Sequence, residues 1–365
     1  VFDLDSVNLL AMLQLLSERM GRAGDPDEFF AGCAVSPFKR TEGETFAQYA
    51  KLCRKAAAGA RFVITQLGYD ARKFEELMRI QAHLGIDLPV LGSVYVLNPK
   101  TARIMNRGKI PGAVVTDELL ARVREEWIDP EAGQKAAEER AARLAAVLKG
   151  LGYRGVHIGG VHRSFAPAAR ILDRMARIQD RWTEFIDDFD LPLENGFYAF
   201  DREPSGKRNR PRFGVVPQRL AAADRLGFHL MRSTHRLFFD PESAAGPMME
   251  RFCRWIDRRH YRKFLFQLAE DPSKKILLGC RRCGDCAIEH VGYLCPESGC
   301  AKHIRNGACG GSRNGMCEVF SDRPCIWERA YRRWASTEET AKMADGCVPP
   351  RMWELDRTPS WINFY

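Results

Sequence analysis

Residues 32–70 have the sequence GCAVSPFKRTEGETFAQYAKLCRKAAAGARFVITQLGYD, which carries the strongest indication of the fold. A short apolar run at its start and the β-rich run Arg61–Gln66 near its end predict two buried strands. Between them, Thr41 and Glu44 have the spacing of a capping box, which predicts a helix that ends at Gly59. A strand, a helix and a second strand in this order predict a parallel βαβ unit.

The same alternation continues on both sides of this unit. Upstream, apolar residues at helical spacing predict a helix from about Val7 to Met20. Downstream, the sequence predicts a helix that begins after Asp70 and a strand at about Leu88–Leu97. A long helix follows at about Pro130–Lys149, and then a fourth strand at Gly155–Gly159. Four strands separated by helices predict an α/β fold with a parallel sheet. Periodicity alone does not separate a doubly wound sheet from part of a barrel.

Eight of the twelve cysteines lie within 46 residues, from Cys280 to Cys325. They are Cys280, Cys283, Cys286, Cys295, Cys300, Cys309, Cys317 and Cys325. Three cysteines at successive C-x2-C intervals can bind three corners of a cubane cluster, and Cys295-Pro296 is similar to the bacterial ferredoxin pattern. Structural zinc uses two separated ligand pairs instead. We therefore expect two [4Fe-4S] clusters, with zinc as the alternative at one or both sites; the spacing does not determine which cysteines share a site.

The charge of the chain limits the classes of partner. The formal net charge is +9, and short basic runs lie at Lys207–Arg212, Arg258–Lys263 and Arg329–Arg333. Acidic segments separate these runs, so we expect solvated surface rather than a nucleic-acid interface, with an acidic protein or an anionic ligand as the second interpretation. No apolar run is long enough to span a membrane, and the first twenty residues lack the pattern of a signal peptide. The clustered thiols fit a reducing, cytoplasmic setting.

Residues 32–70 resemble the methylenetetrahydrofolate reductase family. The shared pattern is a helix that carries Arg54-Lys55, then Ala58-Gly59-Ala60, Ile64-Thr65-Gln66 and Asp70, and the resemblance extends to Val156–Arg163. Members are flavin-dependent TIM barrels that reduce methylenetetrahydrofolate to methyltetrahydrofolate. Residues after Gly196 are similar to a cysteine-rich C-terminal extension of some bacterial members and to the small partner subunit of the acetogen enzymes.

The resemblance implies roles for six residues. Arg54 and Lys55 would contact the phosphate-bearing tail of the flavin, and Ile64 would lie against its isoalloxazine ring. Gln66 would hydrogen-bond the pterin of the folate, since an amide offers both a donor and an acceptor. Arg163 falls on an arginine that contacts the substrate, and Met105 falls on the position of the aromatic residue that stacks on folate.

The resemblance also predicts the organisation of the chain. Residues 1–190 would form the later βα units of a TIM barrel, and residues 191–365 a cysteine-rich metal-cluster domain. The family's catalytic acid and an aspartate beside the flavin lie on earlier strands. We therefore expect the catalytic carboxylates upstream of Val1, in roughly 110–130 residues that are absent from this sequence or supplied by another chain.

The expected function is flavin-dependent reduction of methylenetetrahydrofolate, or its reverse. FAD is the expected flavin, with FMN as the alternative, and the clusters would pass electrons to it from ferredoxin or another electron-transfer partner. We expect a homo-oligomer or a complex, without membrane insertion. Two other functions stay open: a non-catalytic assembly subunit with structural zinc, and an accessory protein of a folate or corrinoid methyl-transfer system.

Overall fold

A four-stranded parallel sheet lies in the N-terminal part of the computed structural model, which describes residues 4–21, 24, 29–161, 164–202, 209–213, 220–240 and 242–365. Its strands are β1 (Gly32–Val35), β2 (Phe62–Thr65), β3 (Val90–Tyr95) and β4 (Gly155–Gly159). They pair in the order β1-β2-β3-β4. A doubly wound sheet reverses its strand order at a switch point, and no reversal occurs in the described part of this sheet. The predicted α/β fold with a parallel sheet is confirmed.

Helices connect and flank these strands. They are α1 (Ser6–Arg19), α2 (Glu42–Ala57), α3 (Ala71–His83), α4 (Pro99–Asn106), α5 (Asp117–Glu126), α6 (Pro130–Gly150) and α7 (Ala166–Ile178), and a 3-10 helix follows at Gln179–Phe189. The predicted capping box begins α2, because Thr41 accepts from the Glu44 backbone N–H at 3.2 Å. Asp70 caps α3 by accepting from the Arg72 N–H at 3.0 Å.

Only one face of β1 and β2 is fully covered. Val35 and Val63 are buried against the helices, whereas the alternate residues Gly32, Phe62 and Ile64 are more exposed. Side chains alternate across a strand, so this pattern means that the second face is less enclosed. The apolar core of this part continues to Phe200.

The C-terminal part contains short strands and helices around the cysteines. They are β5 (Phe200–Arg202), β6 (Asn209–Phe213), α8 (Ala222–Phe238), α9 (Gly246–Asp257), α10 (His260–Leu278), α11 (Pro296–Gly299), α12 (Ile326–Ala335) and α13 (Ser360–Asn363), with 3-10 helices at Ile288–Val291, Thr340–Met343 and Trp353–Leu355. Trp327, Tyr331 and Trp334 of α12 form a second core. No helix in the described ranges is both long and apolar enough to cross a bilayer.

Helix α12 joins the cysteine-rich part to the sheet by packing on α2. The Tyr331 ring stacks on Phe46 with 5.5 Å between centroids, and its hydroxyl donates to Glu42 at 2.5 Å. The Gly315 N–H donates to the Glu44 carboxylate at 3.0 Å. Helix α2, which follows β1, therefore also packs against the cysteine-rich part.

Residues 248–269 fall on two separate helices. Helix α9 ends at Asp257 and α10 begins at His260, with extended backbone at Arg259. The break lets the two helices fold back so that Phe252 and Phe266 meet edge to face at 6.1 Å.

Candidate functional site

A cavity runs along β1 to the carboxyl ends of β1 and β2. Side chains from the sheet, from α2 and from the cysteine-rich part line it, among them Ser36, Lys55, Gln66 and Cys309. The carboxyl ends of parallel strands are where α/β enzymes place their chemistry. This cavity therefore brings together two of the predicted flavin and folate residues and one predicted metal ligand.

Gln66 follows β2 directly, and the loop after α4 holds its amide. Its Nε2 donates to the Pro111 carbonyl at 3.0 Å, and its Oε1 accepts from the Leu67 N–H at 3.1 Å. Gly112 has φ +76°, and a Cβ there would lie 2.8 Å from Gln66 Cγ. Glycine is therefore required for the loop to approach this closely. The contacts fix the orientation of an amide that can recognise a polar heterocycle.

Arg54 and Lys55 are adjacent on α2 but point to different surroundings, because consecutive helical residues differ by about 100° in direction. Lys55 lines the cavity, and its Nζ donates to the Ala34 carbonyl at 2.6 Å. Burial lowers its pKa. Arg54 is buried against the C-terminal part, where Nη2 donates to the Lys342 carbonyl at 3.4 Å. Its Nε and Nη1 have no hydrogen-bond partner within the described residues. The structure thus brings Lys55, but not Arg54, to the cavity.

The other predicted residues have different positions. Ile64 lies on the same face of β2 as Gln66 because the two are separated by one residue. Met105 belongs to α4, where it is buried in the core at 2% exposure, and it lines a neighbouring cavity that shares Pro111 with the first. Arg163 lies outside the described residues.

Ser36 is a candidate that the sequence analysis missed. It follows β1 and lines the same cavity as Gln66, and its hydroxyl is buried without a hydrogen-bond partner in the part of the chain that the structure describes. An unsatisfied buried hydroxyl is costly, so it is available to a bound ligand. Its place at the carboxyl end of a predicted strand was the signal that could have identified it.

The structure divides the eight clustered cysteines into two quartets in chain order. The first quartet, Cys280, Cys283, Cys286 and Cys295, lines one small cavity. The second quartet consists of Cys300, Cys309, Cys317 and Cys325. Burial raises the pKa of Cys300, and the nearby Cys309 and Cys317 thiols add to the rise. Burial, with Cys309 and Cys300 nearby, raises the pKa of Cys325 to about 12. The grouping shows which cysteines are neighbours, which the spacing does not.

Backbone N–H groups approach the sulfurs of both quartets. The Arg282 N–H donates to Cys280 at 3.3 Å, and the Gly311 N–H donates to Cys309 at 3.4 Å. Hydrogen bonds to cysteine sulfur stabilise thiolates and tune iron–sulfur centres. No three cysteine, histidine or acidic side chains of the described residues converge tightly enough to hold a single metal ion. A zinc ion needs its ligands at about 2.3 Å from one point, whereas a cubane cluster spreads its thiolates over several iron atoms. Each quartet supplies four cysteines, the donor set that either a [4Fe-4S] cluster or a structural zinc ion takes.

Two buried lysines lie beside the second quartet. Lys39 Nζ donates to the carbonyls of Gly310 and Ser312 at 2.5 and 2.8 Å. Lys51 Nζ donates to the Gly307 carbonyl at 3.2 Å, and burial lowers its pKa to about 8. Both side chains are at most 4% exposed. They hold the loop that carries Cys309 and place positive charge beside thiols that become anionic on metal binding.

Comparison with known protein families gives two matches. The model described as "Methylenetetrahydrofolate reductase" matches residues 8–176. The model described as "Methylene-tetrahydrofolate reductase C terminal" matches residues 262–354, which include both quartets. Together they span more than two thirds of the chain. No curated protein matches the sequence significantly.

Proposed function

The chain belongs to the methylenetetrahydrofolate reductase family and is a reductase-like oxidoreductase, and on this premise we propose that it reduces methylenetetrahydrofolate with a bound flavin that receives electrons through two iron–sulfur clusters. The four strands would be later βα units of the family's barrel. One observation carries the electron route: Cys309 of the second quartet lines the same cavity as Lys55 and Gln66. A cluster in this quartet would lie next to the flavin and folate site.

The residues of the cavity have separate tasks in this proposal. Gln66, oriented by the Pro111 carbonyl, positions the pterin, and the free Ser36 hydroxyl adds a hydrogen bond to the bound ligand. Lys55 supplies positive charge for the phosphate-bearing tail of the flavin. A bound flavin supplies the hydride chemistry and links one-electron to two-electron transfer. Arg54 lies outside this cavity, against the C-terminal part, so Lys55 alone is proposed to contact the flavin tail.

The two quartets would form an ordered path. The second quartet adjoins the cavity, and the first begins two residues after the end of α10. Glu297 lines the cavity of the first quartet and also a cavity that contains Cys309, so this one residue adjoins a cavity of each quartet. This arrangement supports transfer from the first centre to the second and then to the flavin.

The test removes one centre at a time from the full-length protein isolated without oxygen. We expect about eight iron atoms per chain in the wild type and about four in Cys283→Ser and in Cys325→Ser, because each variant loses one cubane site. Both variants should retain flavin, but electrons from reduced methyl viologen should reach it at least tenfold more slowly. Iron and flavin analysis and stopped-flow absorbance measure these quantities.

Cys53→Ser is the matched control, because Cys53 lies on α2 and belongs to neither quartet. It should keep full iron content and the wild-type rate. Zinc in place of iron in the wild type, or flavin reduction that is equally fast without either centre, would refute the electron route. The first result would favour the structural-zinc assembly role instead.

A further inference from the structure

Helices α9 and α10 expose large apolar side chains that the proposed function does not use. They include Met248, Phe252, Trp255, Tyr261, Phe264 and Leu265. The side chains of Phe264 and Leu265 are 62% and 60% exposed. Because consecutive residues of a helix point about 100° apart, a wide side of α10 is exposed here. Single exposed apolar residues are ordinary, but a contiguous group marks an interaction surface. We call this group, with the basic residues between its members, the α9–α10 surface.

The α9–α10 surface lies in a strongly basic part of the chain. Residues 246–282 contain ten lysines and arginines but four acidic residues, which accounts for most of the chain's net charge of +9. The run Arg258–Lys263 occupies the turn between the two helices, and the side chains of Arg258 and Arg259 are exposed. A surface of this charge attracts an acidic partner and accelerates its association.

Helix α10 connects the α9–α10 surface to the first quartet, because its later residues, from Glu270 to Leu278, line the cavity of that quartet. Lys274 of α10 has its Nζ 3.9 Å from Cys286 Sγ. A largely apolar groove beside α10 is lined by Leu277, Trp361 and Phe364 and reaches Cys286. The second quartet, in contrast, is next to α2 and the sheet. Of the two quartets, the first is therefore the one that a protein bound to this surface would meet.

We propose that the α9–α10 surface docks a small acidic electron-transfer protein that reduces the centre in the first quartet. The inference rests on the proposed function. Each docking event oxidises the partner by one electron and reduces the centre by one electron. Two such events and two protons from solvent supply what reduction of methylenetetrahydrofolate to methyltetrahydrofolate requires.

Two other occupants fit the surface less well. A second copy of the chain carries the same excess of positive charge, which opposes self-association through this face. An anionic bilayer would attract the charge, but the concave groove with Trp361 and Phe364 is suited to an inserted side chain of a protein. Arg262 already stacks on Trp255 at 3.8 Å, so the aromatic and basic parts form one surface.

The experiment measures how fast the clusters of the loaded, full-length protein are reduced by a small acidic ferredoxin. Arg258→Glu/Arg259→Glu reverses two exposed charges of the surface, and Phe264→Ser/Leu265→Ser removes two apolar contacts. Arg124→Glu/Arg177→Glu is the matched control, because it reverses two exposed charges on α5 and α7. Reduced methyl viologen serves as a second donor that needs no docking surface.

We expect the charge reversal to slow reduction by ferredoxin at least tenfold at low ionic strength, with the difference shrinking at high salt. The apolar variant should slow it at all salt concentrations, and the control should match the wild type. All variants should react normally with methyl viologen.

Equal rates for all variants with ferredoxin would overturn the docking surface while leaving the proposed function intact. The docking surface would also be overturned if the charge reversal left the rate of reduction by ferredoxin unchanged but abolished binding to anionic lipid vesicles or dissociated a wild-type dimer. Failure of methyl viologen to reduce wild-type flavin would instead refute the proposed function.

Discussion

At the residue scale, α3 shows how burial changes the chemistry of a single carboxyl group. Asp70 is 3% exposed and caps α3. Burial raises its pKa to about 6, against the opposing effect of the hydrogen bond from the Tyr198 hydroxyl. The capping role was predictable from the sequence, but its burial was not, because the covering segment that contains Tyr198 lies 128 residues away.

Asp70→Asn should make the protein more stable at neutral pH. In the folded chain the Asp70 carboxyl binds its proton more tightly than in the unfolded chain, so its contribution to stability is complete below about pH 4 and is lost as pH rises through about 6. Asparagine keeps the cap without ionising. The free energy of unfolding at pH 7 should rise by about 3 kcal/mol, since the pKa is raised from 3.8 to about 6 and one pKa unit corresponds to about 1.4 kcal/mol.

Urea denaturation at pH 4, 5, 6 and 7 measures this effect. The variant should differ from the wild type least at pH 4 and most at pH 7. A constant difference between Asp70→Asn and the wild type across the pH range would contradict the prediction.

At the element scale, α2 connects the sheet, the cavity and the second quartet. Different side chains of this one helix contact each of them: Phe46 packs on α12, Lys51 holds the Gly307 carbonyl and Lys55 lines the cavity. The capping box of Thr41 and Glu44 predicted this helix. It did not predict that the polar face is buried too, because the covering part comes from residues after 290.

Lys39→Met and Lys51→Met should lower the midpoint potential of the iron–sulfur cluster that we propose for the second quartet. Reduction adds negative charge, which a buried ammonium group stabilises, so its removal favours the oxidised state. We expect a shift on the order of 50 mV, about a tenfold change for a one-electron couple. Redox titration followed by electron paramagnetic resonance measures the two centres separately.

Lys274→Met is the matched variant for the other centre, because Lys274 lies 3.9 Å from Cys286 of the first quartet. It should shift the potential that the Lys39 and Lys51 variants leave unchanged. If every variant moved both potentials equally, or none, the assignment of these lysines to separate centres would be wrong.

At the scale of the whole molecule, the sheet and the cysteine-rich part share an interface. Tyr331 is 1% exposed between Phe46 and Glu42, and Lys39 reaches across to two carbonyls of the loop after Cys309. The cysteine-rich part thereby forms one wall of the cavity. The family match extends over both parts, and the structure gives a physical reason for joining them in one chain.

Tyr331→Ala should destabilise both parts together. Removing a large buried aromatic side chain costs about 3–5 kcal/mol, and here it removes the contact between two cores. We expect a lower midpoint in a single urea transition, followed by tryptophan fluorescence and circular dichroism. Tyr331→Phe keeps the ring and loses only the hydrogen bond to Glu42, so it should cost about 1 kcal/mol. Two separate transitions, with only one displaced, would contradict this coupling.

The sequence by itself determined the local and chemical features of this protein. The strand–helix alternation, the Thr41 and Asp70 caps and the clustered cysteines follow from spacing and from short-range hydrogen bonds, and the residues of the βα unit indicated the family. Only the tertiary structure decided the grouping of the thiols into two quartets, the separation of Arg54 from Lys55, and the contact of Cys309 with the cavity of Gln66. These features depend on which distant segments pack together, and the free energy of that packing comes from contacts that no local pattern encodes.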